Sequence, residues 1–151
     1  SATTGEGLRD LLTALKNVLP IAPPLFPEDM LSTLPLRFMA AEIIREKLFL
    51  SLRQELPYSI AVDIEAWEED PERSQVTIHA VIYVVKSTHK AMVIGHAGRS
   101  IKQIGQAARM EIMELLGCKV HLQLWVKIKD NWVEDQAFLH SLDLAAQTPG
   151  F

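Results

Sequence analysis

The chain has 151 residues, which suits one domain with an appendage but not two full-sized domains. Hydrophobic residues make up 48% of it and charged residues 23%, an ordinary globular composition that excludes a largely disordered chain. The formal net charge of −4, taken as an average, argues against a nucleic-acid-binding protein.

A single cysteine, the lack of any apolar run of membrane-spanning length and the lack of a signal-peptide pattern favour the reducing cytoplasm. The first residue is Ser1 rather than methionine, which predicts a processed chain or a fragment of a longer one.

The first predicted element is a helix over residues 8–19, where leucine and valine recur at helical spacing. Four prolines then fall within eight residues, from Pro20 to Pro27. Prolines at this density remove backbone donors and fix φ, so we expect neither a helix nor a central strand there. The sequence therefore predicts a proline-rich linker over residues 20–36, which separates the first helix from the rest of the chain.

Beyond the linker, apolar spacing predicts a helix over about 37–56, which Pro57 would end. Two runs of alternating residues follow at 60–66 and 76–84, with an acidic loop at 68–74 between them. Alternation of this kind is typical of strands with one buried face. The expected inward residues are Ile60, Val62, Ile64 and Ala66 in the first strand, and Val76, Ile78, Ala80, Ile82 and Val84 in the second.

Helical spacing returns over residues 88–116, interrupted by two glycines. This pattern predicts a short helix ending near Ile94, a tight turn, and a longer helix from about Ser100 with Gly117 at its C-terminal end. A third alternating run covers 120–128, and a last short helix is expected at 133–142.

The order of these elements predicts an α+β fold with a three-stranded mixed sheet. Because each strand has one apolar face, helices should cover one side of the sheet. The two strands on either side of the glycine-linked helices should run parallel, since a helical crossover connects them.

The most informative segment is the turn that joins the two helices, within an I-G-x-x-G-x-x-I frame from Ile94 to Ile101. Gly95 and Gly98 lack side chains, which lets a foreign backbone approach closely. The following helix offers free amides and the positive end of its dipole to an anion such as phosphate. A glycine pair alone is weak evidence, because turns between helices often use glycine. A glycine pair in this setting, however, is typical of a KH domain, which clamps about four nucleotides.

The distribution of charge supports this interpretation. Residues 86–109 contain five basic residues and no acidic one, whereas the remainder has ten basic and nineteen acidic residues, a balance of −9. Residues 63–72 hold six acidic residues and no basic one. Lys119, Lys127 and Lys129 extend the basic bias into the third strand. The sequence therefore predicts one basic surface on an acidic protein.

Several segments resemble the C-terminal KH domain of bacterial GTPases of the Era family. They are RFMAAEIIREKL (37–48), ELPYSIAVDIEAW (55–67), KAMVIGHAGRSIKQIGQAAR (90–109) and VHLQLWVKIKDNW (120–132). LFPEDM (25–30) in the linker and SATTGEGL (1–8) are similar to that family too, so the resemblance covers essentially the whole chain. It implies a type II KH fold, with residues 1–19 as the C-terminal remnant of a G domain and 37–151 as the KH domain with a short C-terminal helix.

The resemblance also implies single-stranded RNA as the partner, specifically the 3′ end of 16S ribosomal RNA during maturation of the small ribosomal subunit. The glycine loop carries over to Gly95, His96, Ala97 and Gly98. The flanking residues implied to contact RNA are Lys90, Ile94, Arg99, Ser100, Ile101 and Lys102. KH loops often place lysine or arginine between the glycines, whereas this chain has His96 and Ala97. That departure predicts weaker binding, or binding that depends more on pH.

The nucleotide chemistry of such a GTPase is not expected in this chain. Ser1 and Ala2 resemble part of a guanine-contacting loop, but no GxxxxGK(S/T) phosphate loop occurs anywhere in the sequence. We therefore expect no catalytic residues, no complete cofactor site and no GTP hydrolysis here. The resemblance implies GTP and Mg²⁺ as cofactors of the full-length protein, and also its peripheral contact with the inner membrane.

Other functions have less support in the sequence. The five histidines lack metal-ligand spacing and Cys118 has no cysteine partner, so we expect no metal site. Trp67, Trp125 and Trp132 could stack on bases, but packing or a partner protein explains them equally well, so they are left out of the predicted site. The alternative function is a protein-interaction module whose basic face meets an acidic partner, with a glycine turn that is only structural.

Overall fold

The computed structural model describes residues 1–23, 35–52 and 59–147, with side chains described as far as Leu142. The chain divides into two units, Ser1–Thr33 and Leu34–Phe151. Residues 24–34 of the predicted linker and residues 53–56 of the predicted second helix lie outside the described residues.

The first unit contains helix α1 (Leu8–Val18), at the position that the apolar spacing predicts. The helix begins after Gly7, whose φ of 77° lies in the left-handed region that favours glycine. None of its side chains is buried: its four leucines are 44–56% exposed and Val18 is 77% exposed. An apolar stripe normally packs against another element. Within the first unit, the described residues leave the stripe of α1 uncovered.

The second unit holds the remaining helices and strands. Its described elements are α2 (Leu36–Ser51), β1 (Ile60–Asp70), β2 (Gln75–Val84), α3 (Ser87–Ile94), a 3₁₀ turn (His96–Gly98), α4 (Arg99–Leu116), β3 (Lys119–Ile128) and α5 (Gln136–Gln147).

The three strands form one sheet in the order β1-β2-β3. β1 and β2 are antiparallel, with Ile60 opposite Val84, and β2 and β3 are parallel, with Gln75 opposite Lys119. The helical crossover through α3 and α4 makes this parallel pairing possible. The predicted α+β fold with a mixed three-stranded sheet is confirmed.

The core lies between one face of the sheet and helices α2, α3 and α4. All five predicted inward residues of β2 are buried there, and Ile78, Ala80, Ile82 and Val84 have no exposed surface. The helices contribute fully or almost fully buried residues at helical spacing, namely Ala40, Ile44 and Leu48 from α2, Val93 from α3, and Ile104, Ala108 and Ile112 from α4. These helices cover one side of the sheet, as the strand patterns predict.

Helix α2 is shorter than its sequence pattern predicts. It ends at Ser51, and Leu52 already has extended backbone angles of φ −98° and ψ 144°. Leu52 still packs against the core. The apolar spacing therefore continues past the last helical residue, and the predicted end of the helix at residue 56 is wrong.

Strand β1 contains a bulge that period-two alternation does not reveal. Ile64 pairs with Ala80, but the next pair is Ala66 with His79, so Glu65 is an extra residue on the β1 side. An extra residue reverses the faces of the side chains that follow it. Trp67, opposite Ile78, therefore packs against the core in place of the predicted Ala66. The strand also continues to Asp70, so part of the predicted acidic loop lies in the strand.

The residues after β3 cover one end of the other face of the sheet. Tyr83 points to this outer face, and its ring meets Phe138 edge-on at 4.9 Å between centroids. Trp132 is 8% exposed, contacts Phe138, and donates a hydrogen bond from Nε1 to the Ser59 carbonyl at 3.2 Å. The last helix, α5, begins at Gln136 rather than at the predicted residue 133, because residues 130–134 form a turn in which Asn131 has a φ of 52°.

The start of α5 depends on Asp135. Its carboxylate accepts a hydrogen bond from the Phe138 amide at 3.0 Å and forms an ion pair with Lys129 at 2.9 Å. These contacts, first that with Lys129, hold the pKa of Asp135 below its ordinary value. A carboxyl with a lowered pKa in the folded state stabilises the fold above its unfolded pKa, and this contribution is lost as pH falls through the folded pKa.

Replacing Asp135 with alanine is therefore expected to lower the melting temperature at pH 7 and to loosen the first turn of α5, because the amide of Phe138 loses its acceptor. Thermal unfolding followed by circular dichroism, repeated at falling pH, measures this effect. The difference between Asp135→Ala and the unchanged chain should shrink towards acid pH. A constant difference across the pH range would contradict the assigned role.

Candidate nucleic-acid interface

The turn between α3 and α4 has an unusual backbone. Gly95 has φ 71° and ψ 176°, Ala97 has φ 51° and ψ 32°, and Gly98 has φ 75° and ψ 12°. Three of its four residues thus adopt positive φ, and Ala97 does so despite its side chain. The Gly95 amide donates to the Ala91 carbonyl at 2.8 Å, and the Gly98 amide donates to the Gly95 carbonyl at 3.2 Å. These bonds fix a tight turn between the two helices.

Gly95 and Gly98 are required for different reasons. A β-carbon on Gly95 would lie 2.6 Å from the β-carbon of Ser100, so there is no space for a side chain. The positive φ of Gly95 also disfavours any residue that carries a side chain. Around Gly98 no heavy atom would lie within 4 Å of such a β-carbon. Gly95 thus allows the turn to pack on the start of α4, whereas Gly98 leaves an open space beside the helix terminus.

The N-terminus of α4 faces this open space without a side-chain cap. The residue at the N-cap position is Gly98, which has no side chain that could accept a hydrogen bond from the helix amides. The Arg99 amide donates to the His96 carbonyl. The later amides of the first turn lack helical acceptors, as in any helix. Together with the helix dipole and the exposed side chains of Arg99 and Lys102, they form a site suited to phosphate.

A groove continues from this terminus between α4 and β3. It has a volume of about 430 Å³ and is open to solvent. Its walls are Ile101, Lys102, Gly105, Gln106 and Arg109 from α4 and Leu122 and Leu124 from β3. We call it the α4–β3 groove. It combines an apolar floor with a polar and basic rim, a chemistry suited to unstacked bases beside phosphates.

The predicted site residues occupy three places. Gly95, His96, Ala97 and Gly98 form the turn, with His96 and Ala97 exposed. Arg99, Ser100, Ile101 and Lys102 form the first turn of α4, and the last two also line the groove. Lys90 and Ile94 lie on α3 outside the groove lining; Lys90 is half-buried, and Ile94 packs against the core.

Five groove residues are missing from the sequence prediction of the site. They are Gly105, Gln106, Arg109, Leu122 and Leu124. Gly105 is the one signal in the sequence, because glycine inside a helix costs stability relative to alanine and therefore suggests close packing at that position. A β-carbon there would lie 3.2 Å from Cδ1 of Leu124, so Gly105 allows α4 to approach β3 closely. The spacing of 101, 105 and 109 also places these residues on one side of α4.

Two other features of the described residues concern function. Among residues 1–23, 35–52 and 59–147, His, Cys, Asp and Glu side chains nowhere gather in a group of three that could hold a metal ion. The helices in the same ranges all fall short of the length and apolar character that crossing a membrane requires.

Known proteins match both the sequence and the fold of this chain. The family described as KH domain matches residues 55–133, which is more than half of the chain. GTPase Era from Nitratidesulfovibrio vulgaris is 62% identical over 145 residues, covering 96% of this chain and 47% of that protein. GTPase Era from Desulfovibrio desulfuricans is 60% identical over 147 residues, covering 97% and 48%. The chain thus spans about half the length of these relatives.

Two solved structures share the fold at 38% sequence identity and a TM-score of 0.85, each over 90% of this chain. One is a crystal structure of an Aquifex aeolicus Era variant bound to GDP and AlF4⁻, of which 46% is covered. The other is Era in complex with MgGDPNP and nucleotides 1506–1542 of 16S ribosomal RNA, of which 45% is covered. The resemblance to Era GTPases is confirmed, and this chain belongs to the KH domain family.

Proposed function

We propose that this chain binds single-stranded RNA at the glycine turn and in the α4–β3 groove. The observation that supports this best is that the glycine turn and the α4–β3 groove are continuous with each other. Ile101 and Lys102 stand in the first turn of α4, directly after the positive-φ turn, and also line the groove. A strand whose phosphates rest on the turn therefore has its bases beside the groove.

Each part of the surface has a separate task in this proposal. The uncapped amides of α4 and the side chains of Arg99 and Lys102 hold phosphates. Ile101, Leu122 and Leu124 contact base faces, and Gln106 and Arg109 offer hydrogen-bonding groups to base edges. Because the residues between the glycines are His96 and Ala97, phosphate contact at the turn comes mainly from the backbone.

The RNA that we propose is the 3′ end of 16S ribosomal RNA, in the setting of small-subunit maturation. Era, a relative by sequence and fold, forms a complex with nucleotides 1506–1542 of this RNA. We further propose that this chain is part of a longer cytoplasmic GTPase that makes peripheral contact with the inner membrane. GTP and Mg²⁺ would be held by other residues of that protein, since this sequence has no phosphate loop.

We also propose that residues 1–19 belong structurally to a G domain and residues 20–36 link them to the KH domain. The exposed apolar stripe of α1 supports this assignment, because such a stripe needs a partner. On its own the chain is expected not to hydrolyse GTP.

The salt dependence of RNA binding tests the proposed phosphate contacts. We expect the Kd for a four-nucleotide single strand from nucleotides 1506–1542 to rise steeply with salt concentration. Lys102→Gln should weaken binding and reduce the slope of log K against log salt by about 0.7, the value for one lost contact on a single strand. Fluorescence anisotropy at several salt concentrations measures both quantities.

Arg73→Gln is the matched control, because Arg73 is a basic, exposed residue on the turn between β1 and β2, at the end of the sheet where β2 and β3 begin. This variant should change neither the affinity nor the slope. Equal effects of the two variants would contradict a specific phosphate contact by Lys102, and an affinity that does not respond to salt would contradict the proposed mode of binding.

A further inference from the structure

The outer face of the sheet carries a second arrangement suited to nucleic acid. The rings of Trp125 and His79 stack with centroids 5.4 Å apart and planes inclined by 6°. Trp125 is nevertheless 43% exposed, whereas Trp132, at the covered end of the same face, is 8% exposed. A large aromatic side chain held flat and left open to solvent is suited to stacking with another ring.

The neighbours of Trp125 along β3 are polar or basic. Side chains of one parity in β3 share the outer face, and they are Lys119, His121, Gln123, Trp125 and Lys127. None of them is acidic. Gln123 and His121 hydrogen-bond to each other at 2.9 Å, and Lys127 is paired with Glu65 at 2.6 Å. We call Trp125, His79, His121, Gln123 and Lys119 the Trp125 platform.

Charge across the sheet restricts where a polyanion could lie. Asp63, Glu68 and Asp70 of β1 sit opposite the outer-facing residues of β2, so the β1 side of this face is acidic. Lys119 has no carboxylate partner among the described residues. The β1 side of this face therefore repels phosphates, whereas Lys119 on β3 offers them a positive charge that is unpaired among the described residues.

The position of β3 connects the platform to the groove. β3 is an edge strand of the described sheet. Alternate side chains point to opposite faces, so Leu122 and Leu124 line the α4–β3 groove while Gln123 and Trp125 belong to the platform. An RNA chain that leaves the groove therefore needs to cross only β3 before it reaches Trp125.

We propose that the Trp125 platform is a second RNA-binding surface, on which a base outside the groove-bound segment stacks with Trp125. This inference rests on the proposed function, because it extends the path of the same RNA. Aromatic stacking accepts any base, so the platform adds affinity for longer strands rather than sequence preference.

The test compares two RNA lengths with the whole 151-residue chain. The probes are a four-nucleotide and a ten-nucleotide single strand from nucleotides 1506–1542 of 16S ribosomal RNA, with the short sequence contained in the long one. Trp125→Ala should weaken binding of the ten-nucleotide strand roughly 5- to 150-fold, the range for loss of one stacked base. It should leave the affinity for the four-nucleotide strand unchanged.

Two further variants make the result specific. Phe49→Ala removes an aromatic side chain that is also 43% exposed, on α2, and should change neither affinity. Trp125→Phe keeps an aromatic ring and should retain most of the affinity for the long strand, which also provides a test if the alanine variant does not fold. Quenching of tryptophan fluorescence by the long strand should disappear in Trp125→Phe.

The outcomes separate this inference from the proposed function. If Trp125→Ala binds both strands as the unchanged chain does, or if quenching persists in Trp125→Phe, the platform proposal is overturned while groove binding stands. If Trp125→Ala weakens both strands equally, Trp125 acts through the fold or the groove, and the platform proposal is again overturned. If the unchanged chain binds neither strand, the proposed function fails together with this extension.

Discussion

Replacing Gly95 with alanine is expected to lower the free energy of unfolding by roughly 2–4 kcal/mol. At φ 71° and ψ 176° the residue occupies a backbone region that is essentially restricted to glycine. The new methyl group would also meet the β-carbon of Ser100 at 2.6 Å, so the turn and the start of α4 must move apart. Because the same amides are proposed to hold phosphate, RNA affinity should fall more than tenfold. Urea unfolding and fluorescence anisotropy measure the two effects.

Gly98→Ala is the matched control for this substitution. Gly98 also has a positive φ, but a β-carbon there meets nothing within 4 Å. Its cost should be about 1 kcal/mol, the price of a left-handed conformation alone. Equal destabilisation by the two variants would show that packing against Ser100 contributes nothing.

The second large effect is expected from the double variant His96→Asp/Ala97→Asp. Both side chains are exposed and lie between the glycines. Each new carboxylate near a phosphate costs about 1 kcal/mol in water, so binding should weaken about thirtyfold. Stability should change little, because aspartate tolerates the left-handed conformation that Ala97 adopts at φ 51°. RNA titration and thermal unfolding of the same preparation check both expectations.

A control and an opposite variant strengthen this experiment. Gln136→Asp/Ala137→Asp adds the same two charges in the exposed first turn of α5 and should leave RNA binding unchanged. His96→Lys supplies the basic residue that KH loops often have, so it should tighten binding and steepen its salt dependence. If the α5 variant weakens binding as strongly as the loop variant, the loss reflects net charge rather than contact at the turn.

Much of the fold could be predicted from local patterns, because they report directly on packing. The alternation of β2 identifies all five of its inward residues, and the glycine-linked helices explain why β2 and β3 run parallel. The bulge at Glu65 could not be predicted, since an inserted residue leaves the sequence alternation apparently intact while it reverses the faces beyond it. The end of α2 at Ser51 could not be predicted for a similar reason, because Leu52 continues the apolar spacing after the last helical residue.

The candidate site, too, could be predicted from the sequence only in part. The turn could be located from Gly95 and Gly98 alone, since positive φ and close packing leave a glycine signature. The groove could not, because it exists only where α4 meets β3. Leu122 and Leu124 follow the same alternation as core residues, and only the tertiary structure reveals that they face an open groove. The stack of Trp125 on His79 is likewise formed between neighbouring strands, which the order of residues does not disclose.

The most direct test of the central claim is a titration of the ¹⁵N-labelled chain with the four-nucleotide RNA, followed through its backbone amide resonances. If RNA phosphates rest on the turn and on the start of α4, the largest shifts should come from the amides of residues 95–102, with smaller ones along the groove at Arg109 and Leu124. The turn between β1 and β2 and helix α1 should be unaffected. Shifts concentrated in those two segments, with residues 95–102 unchanged, would contradict the proposed RNA-binding site.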